Sequence, residues 1–160
     1  MKKLIAAAIA GLILTATGAI AEDGKTGVYP AGNVPIAPYS PGIQTANGFL
    51  FVSGQIAYVS GAIPVHASDG EKDVQDQTKI VMENLQAVLA EAGYGFNDAV
   101  RATVFLSDMA NYGAFNEVYG TYWGEGDLPP ARAAVEVGAL PGGKPGAPVL
   151  VEVSMIAHKN

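Results

Sequence analysis

Two apolar runs near the carboxyl end of the chain each enclose a charged residue, Arg132 in one and Glu152 in the other. The first reads Pro-Ala-Arg-Ala-Ala-Val-Glu-Val over residues 130–137, and the second reads Val-Leu-Val-Glu-Val over residues 149–153. Both alternate like β-strands, which places each charge among side chains that favour burial. Burying an unpaired charge costs on the order of several kcal/mol. Arg132 and Glu152 therefore pair with each other, lie on a wet sheet face, or form a site for a small anionic ligand.

Residues 1–21 have the pattern of a secretory signal peptide. Lys2 and Lys3 give a basic start, residues 4–20 are uncharged and mostly apolar, and Ala19-Ile20-Ala21 is a small-x-small cleavage site. A membrane anchor is the competing interpretation, but the stretch is at the short end of the roughly 17–25 residues that span a bilayer. We expect a mature chain of residues 22–160, periplasmic or secreted, with no stable membrane association after cleavage.

Length and composition limit the classes of function open to that mature chain. Its length suits a single domain. Without residues 1–21 it has seven basic and fifteen acidic residues, a formal charge of −8 compared with −6 for the whole sequence. Such a surface repels phosphate backbones, so nucleic acid is not an expected partner. The absence of cysteine excludes disulfides and thiolate chemistry. His66 and His158 have no partners at metal-ligand spacing, so no metal site is expected.

The order of the elements predicts an α+β fold. Residues 22–35 read as a loosely held arm, Asn47-Gly48 as a type I′ hairpin turn between two strands, and residues 58–73 as a surface hairpin or loop. Apolar residues at spacings of three and four predict a helix from about Val74 to Ala92, stopped by Gly93. A strand at residues 99–106 and a second helix capped by Asn111 follow. We expect a two-layer sandwich, a mostly antiparallel sheet with two helices on one face.

Five short motifs occur in the order and rough spacing of the RidA/YjgF family of reactive-intermediate deaminases, and the chain resembles that family from about Pro35 to Ala157. They are Ala-Pro-Tyr-Ser at 37–40, Val-Ser-Gly-Gln-Ile at 52–56, Thr-Val-Phe-Leu-Ser-Asp-Met at 103–109, Asn-Glu-Val-Tyr at 116–119 and Pro-Ala-Arg at 130–132. The resemblance implies a homotrimer whose sheets form a barrel-like core, with active sites in clefts between neighbouring subunits. An open sheet face without helical cover independently favours association.

The resemblance also implies roles for particular residues. Arg132 matches the arginine that binds the substrate carboxylate, and Glu152 matches the glutamate that positions or activates water. Tyr39 and Ser53 match a pocket tyrosine and the serine of the Ser-Gly-Gln motif, and backbone groups near Ala134 contact water and substrate. Each has a structural alternative: Glu152 satisfied by backbone or by Tyr39, Tyr39 a core residue with a polar tip, and Ser53 a strand terminator.

The residue types fit this chemistry. The guanidinium fork of Arg132 suits a carboxylate, and strand alternation places Ala134 on the same face. Glu152 shares its face with Leu150, Ser154 and Ile156, so burial is expected to raise its pKa towards the range useful for proton transfer.

Two departures from the family pattern bear on the site. Many members have cysteine where this chain has Ala134, and the connection at residues 141–148 is longer than usual, which could reshape the cleft.

The expected function is hydrolysis of 2-aminoacrylate-like enamines and imines to a 2-oxo acid and ammonia, without a cofactor. A non-catalytic trimer that binds small carboxylates, or acts as a holdase, is the alternative.

Overall fold

The computed structural model describes residues 24–32, 35 and 37–160, so the signal peptide predicted at 1–21 lies outside the described residues. These residues form a six-stranded sheet in the order β1-β2-β3-β6-β4-β5. Neighbouring strands are antiparallel except β4 and β5, which are parallel. The strands are β1 Lys25–Val28, β2 Gly42–Thr45, β3 Phe49–Gln55, β4 Ala99–Leu106, β5 Ala131–Glu136 and β6 Val151–His158.

Two α-helices complete the α+β fold predicted from the sequence. Helix α1 spans Asp73–Glu91, within one residue of the predicted bounds, and Gly93 beyond its end has a φ of +79°. Helix α2 spans Tyr112–Tyr119 and belongs to the crossover that a parallel β4–β5 pair requires. Short 3-10 turns lie at Val65–Ala67, Phe96–Asp98, Met109–Asn111 and Gly120–Tyr122. Among the described helices, none is long and apolar enough to cross a membrane.

Three local predictions were wrong. Residues 25–28, placed in the predicted arm, form the edge strand β1 paired with β2. The β2–β3 turn is not type I′, because Asn47 lacks a positive φ and only Gly48 adopts one, at +79°; the loop has three residues, a common alternative for hairpins. Asn111 lies directly before α2, as predicted, but its side chain makes no capping hydrogen bond. Asp108, whose side chain accepts a hydrogen bond from the Ala110 amide at 2.7 Å, instead caps the 3-10 turn that leads into α2.

The two faces of the sheet differ sharply in burial. On β6, the side chains of Val151, Val153, Met155 and Ala157 are buried, while the residues between them are only half-buried. Both the buried face and the two helices contribute to one hydrophobic core. On the opposite face Phe51 and Val135 remain 45% and 43% exposed. The sheet therefore has one face packed under helices and one face open.

Gln77 of α1 is a fully buried polar residue that ties two loops to the helix. Its Nε2 donates to the carbonyls of Ala67 at 3.0 Å and Pro148 at 2.9 Å, and its Oε1 accepts from the Leu150 amide at 2.9 Å. One side chain thus satisfies three backbone groups, one in the Val65–Ala67 turn and two at the end of the long connection into β6.

We expect Gln77→Leu to lower the free energy of unfolding by about 2–5 kcal/mol, because it leaves buried backbone groups without partners. Thermal unfolding at fixed protein concentration measures the change, and Gln75→Leu on the more exposed side of α1 is the matched control. Equal melting temperatures for the two variants would contradict this role for Gln77.

Candidate active site

Arg132 lies on the helix-covered face of β5, against three aromatic rings of α2. It is in register with Ala102 of β4, a buried residue of that face. Its guanidinium carbon is 4.6 Å from the ring centre of Tyr119, 5.5 Å from that of Phe115 and 5.6 Å from that of Tyr112. These cation–π contacts stabilise the cation without neutralising it.

Glu152 lies on the opposite face of the sheet. Glu152 is in register with Phe105 of β4, whereas Arg132 is in register with Ala102. Side chains alternate between the two faces along a strand, so two positions three residues apart point to opposite faces. Within residues 24–32, 35 and 37–160, neither Arg132 nor Glu152 forms a salt bridge. The alternative in which these two charges neutralise each other within the chain is therefore excluded.

An irregularity in β3 makes room for the Glu152 side chain. The register of β3 against β6 shifts between Val52 and Gln55, which is the signature of a bulge at Ser53-Gly54. The Glu152 carboxyl lies directly over Gly54, so that a Cβ at this position would collide with the Oε1 atom. Glycine is required here for a close approach of carboxyl to backbone.

The Glu152 carboxyl is half-buried and, among the described residues, accepts no hydrogen bond. Burial raises the pKa of Glu152 above its usual value, as the sequence predicts. A raised pKa makes a carboxylate a stronger base, which is the direction that favours proton acceptance.

Two separate cavities lie near the predicted residues, and Glu152 is not among the lining residues of either. Arg132 lines one of about 410 Å³, with Asn116, Tyr119, Trp123 and Pro130. Tyr39, Gly54 and Gln55 line the other, of about 720 Å³, with Ile56, Tyr58 and Asn84. Both volumes fall in the ~300–1,000 Å³ range of small-molecule sites. Because Arg132 and Glu152 face opposite sides of the sheet, the candidate site consists of two half-sites, the Arg132 cavity and the contact of Glu152 with Gly54, and one copy of the chain does not bring them together.

The other predicted residues divide between these half-sites. Tyr39 is 42% exposed and lines the Gly54 cavity, and Ala134 is half-buried on the same strand face as Arg132. The Ser53 hydroxyl donates to the Ser40 carbonyl at 2.7 Å, which fixes the segment that carries Tyr39. Contact of these three residues with a substrate stays a prediction.

Sequence reasoning missed several residues around Arg132. Tyr112 accepts a hydrogen bond from Arg132 Nη2 at 3.0 Å, and it was not among the residues predicted for the site. The Tyr119 hydroxyl and the Trp123 indole N–H are buried and have no hydrogen-bond partner among the described residues. Burial raises the pKa of Tyr119 to about 12, an effect that Arg132 partly offsets. The spacing of Tyr112, Phe115 and Tyr119 on α2 was the available signal.

Within the described part of the chain, no group of three His, Asp or Glu residues is placed to hold a metal ion.

The fold and its two half-sites define an α+β protein with the features of a small-molecule-binding protein. Residues 30–159 match the family model described as Endoribonuclease L-PSP. The chain is 44% identical over 128 residues to a RutC family protein of Pyrococcus horikoshii, covering 78% of this chain and 90% of that protein. It is 45% identical over 123 residues to a RutC family protein of Synechocystis, covering 77% and 87%. The chain belongs to the RidA/YjgF family.

Solved structures agree with this assignment. The conserved Rid family protein YyfA of Yersinia pestis superposes with a TM-score of 0.72 at 34% identity, covering 84% of this chain and 99% of that chain. Escherichia coli TdcF, solved with bound serine, superposes with a TM-score of 0.66 at 32% identity, covering 79% and 91%. Family membership confirms the fold class inferred from the sequence and supports a role in imine deamination or small-molecule binding.

We expect Glu152→Gln to raise the melting temperature at neutral pH. The folded-state pKa of Glu152 is raised above its unfolded value, so the wild-type protein loses stability as pH rises through the interval between those two values. The difference between variant and wild type should vanish at acidic pH, below the unfolded value. Thermal unfolding as a function of pH measures this, with exposed Glu125→Gln as the control. A pH-independent difference would contradict the assignment.

Proposed function

We propose that this protein hydrolyses small 2-imino and 2-enamino acids to 2-oxo acids and ammonia. The observation that carries the proposal is that Arg132 and Glu152, both partly buried, have no oppositely charged partner in the described chain. A partly buried cation and a partly buried carboxylate that are not paired with each other are available to a substrate and to its attacking water.

Arg132 binds the substrate carboxylate in this proposal. A guanidinium has only donors and presents them in a planar fork that matches the two oxygens of a carboxylate. Since the rings of Phe115 and Tyr119 lie near the guanidinium, they restrict its orientation and leave N–H groups at its edge for the ligand. The reacting carbon is then held at a fixed distance from the arginine, over the strand segment that contains Ala134.

Glu152 serves as the general base. An enamine first gains a proton at its terminal carbon and loses one from its nitrogen, which gives the imine, the form that water attacks at C2. Glu152 accepts one proton from that water as the new C–O bond forms and passes it to the nitrogen, which gives a carbinolamine. Glu152 then accepts the remaining hydroxyl proton as the C=O bond forms and passes it to the nitrogen as the C–N bond breaks, so that ammonia leaves. Electrons and atoms balance with water alone, so the proposed reaction needs no metal or cofactor.

The site is completed by a second copy of the chain. Arg132 and Glu152 project from opposite faces of one sheet, so a substrate that touches both requires the Arg132 half-site of one copy and the Gly54–Glu152 half-site of its neighbour. Open-face side chains such as Phe51 and Val135 supply apolar surface for that association. A homotrimer with a barrel-like core meets this requirement.

Other features agree with a small acid as substrate. TdcF, the solved relative, was crystallised with serine, a small amino acid. The family model carries the description Endoribonuclease, but the acidic balance of this chain does not favour binding to an RNA backbone.

The signal-peptide pattern of residues 1–21 leads us to propose that the reaction takes place outside the cytoplasm. A binding protein with the same cleft would hold 2-oxo acids but release no ammonia from imines.

We expect Arg132→Lys to reduce kcat/KM roughly ten- to a hundred-fold, because an ammonium keeps the charge but loses one charge-assisted bond worth about 1.5–3 kcal/mol. The assay uses imines generated enzymatically from amino acids and follows ammonia release, with melting temperature as the check on folding. Turnover close to wild type would remove Arg132 from the mechanism.

A mixing experiment tests the shared site. Arg132→Ala and Glu152→Gln are each expected to be inactive alone. After the two variants are unfolded and refolded together, mixed oligomers should recover part of the wild-type activity, because some clefts then combine an intact Arg132 with an intact Glu152. Co-refolding each variant with itself is the control. Failure of mixed oligomers, verified by differential tagging, to regain activity would show that one chain supplies both residues.

A further inference from the structure

Tyr112, the first residue of α2, is not explained by a role in the core. It is 37% exposed, and its hydroxyl accepts a hydrogen bond from Arg132 Nη2 at 3.0 Å. The Tyr112 ring also lies 5.6 Å from the guanidinium carbon of Arg132. The hydroxyl is therefore beside the group that the proposed function assigns to the substrate carboxylate.

The hydrogen bond from Arg132 leaves the hydrogen of the Tyr112 hydroxyl available for another acceptor. A guanidinium has no acceptor, so the tyrosine oxygen is the acceptor in this pair and its own hydrogen is not used. Among the described residues, no group accepts a hydrogen bond from Tyr112. A side-chain hydrogen bond from Asn116 to the tyrosine oxygen, followed by the positive charge of Arg132, lowers the pKa of Tyr112, which makes its O–H a better donor. An unused donor next to an unpaired guanidinium suits an anion that contacts both.

We propose that Tyr112 is a second binding residue for the substrate carboxylate, donating its O–H to one carboxylate oxygen while Arg132 donates to the same group. This inference rests on the proposed function and adds a specificity to it. The receptor consists of donors only, so it favours a carboxylate, which offers two acceptor oxygens. A carboxamide would direct its own N–H donors at the donors of Arg132 or Tyr112 and bind poorly.

The test compares Tyr112→Phe with Tyr122→Phe. Phenylalanine keeps a ring against Arg132 and removes only the hydroxyl, and Tyr122, whose hydroxyl contacts the Lys79 carbonyl at 3.4 Å, lies outside the proposed site. Calorimetric titration with 2-oxobutanoate and with its carboxamide measures affinity in the full-length mature protein. Ammonia release from the corresponding imine gives kcat and KM separately.

We expect Tyr112→Phe to weaken 2-oxobutanoate binding about tenfold and to raise KM by a similar factor, with kcat changed less than twofold. Affinity for the carboxamide should be the same in Tyr112→Phe and wild type, and Tyr122→Phe should match wild type for both ligands. Unchanged 2-oxobutanoate affinity, or equal weakening for acid and amide, would overturn the proposal.

The outcomes separate this proposal from the proposed reaction. If the wild-type protein turns over no imine but Tyr112→Phe still weakens only carboxylate binding, the deaminase assignment fails and the carboxylate receptor stands. If imine turnover is normal and Tyr112→Phe leaves KM unchanged, the reaction stands and the role of Tyr112 is wrong. Lack of 2-oxobutanoate binding by the wild-type protein would overturn the receptor altogether.

Discussion

The alternation of β6 is the constraint on which the rest of the structure depends. β6 lies between β3 and β4, and its residues Val151, Val153, Met155 and Ala157 form part of the buried core. A shift by one residue would exchange the two faces and bury Glu152 under the helices. Because the core fixes this register, the carboxylate is held on the open face, and its contact with Gly54 follows from the bulge in the neighbouring strand.

Aromatic rings, rather than a carboxylate, hold Arg132, and this difference determines what the residue can do. A cation–π contact contributes about 0.5–2 kcal/mol and leaves the positive charge unneutralised, whereas an internal salt bridge would compete with any anionic ligand. The rings of α2 can lie there because the β4–β5 crossover runs over the same face as Arg132. The fold thus orients the Arg132 guanidinium without reducing its affinity for a carboxylate.

The surroundings of Glu152 disfavour its charge, whereas those of Arg132 stabilise the cation. Its carboxyl is placed in partial burial without a described hydrogen-bond donor, which disfavours its ionised form and stores a small destabilisation in the folded chain. Groups held in this way are common where proton transfer occurs, since the cost to folding provides the shifted pKa. The open face that carries Glu152 also carries exposed apolar residues such as Phe51, so the proposed association and the proposed site involve the same surface.

Sequence by itself determined the elements whose signals are local. Spacings of three and four predicted α1 to within one residue, a strand-like run predicted β4, and five motifs identified the family. It failed for β1, for the turn before β3 and for the Asp108 cap, where pairing partners and backbone angles decide among similar local signals. Only the tertiary structure decided that Arg132 and Glu152 lie on opposite faces, that Gly54 receives the carboxyl, and that Tyr112 joins Arg132. The physical reason is that facing and contact depend on strand register and on helix placement across the sheet, which arise from packing between residues distant in the chain.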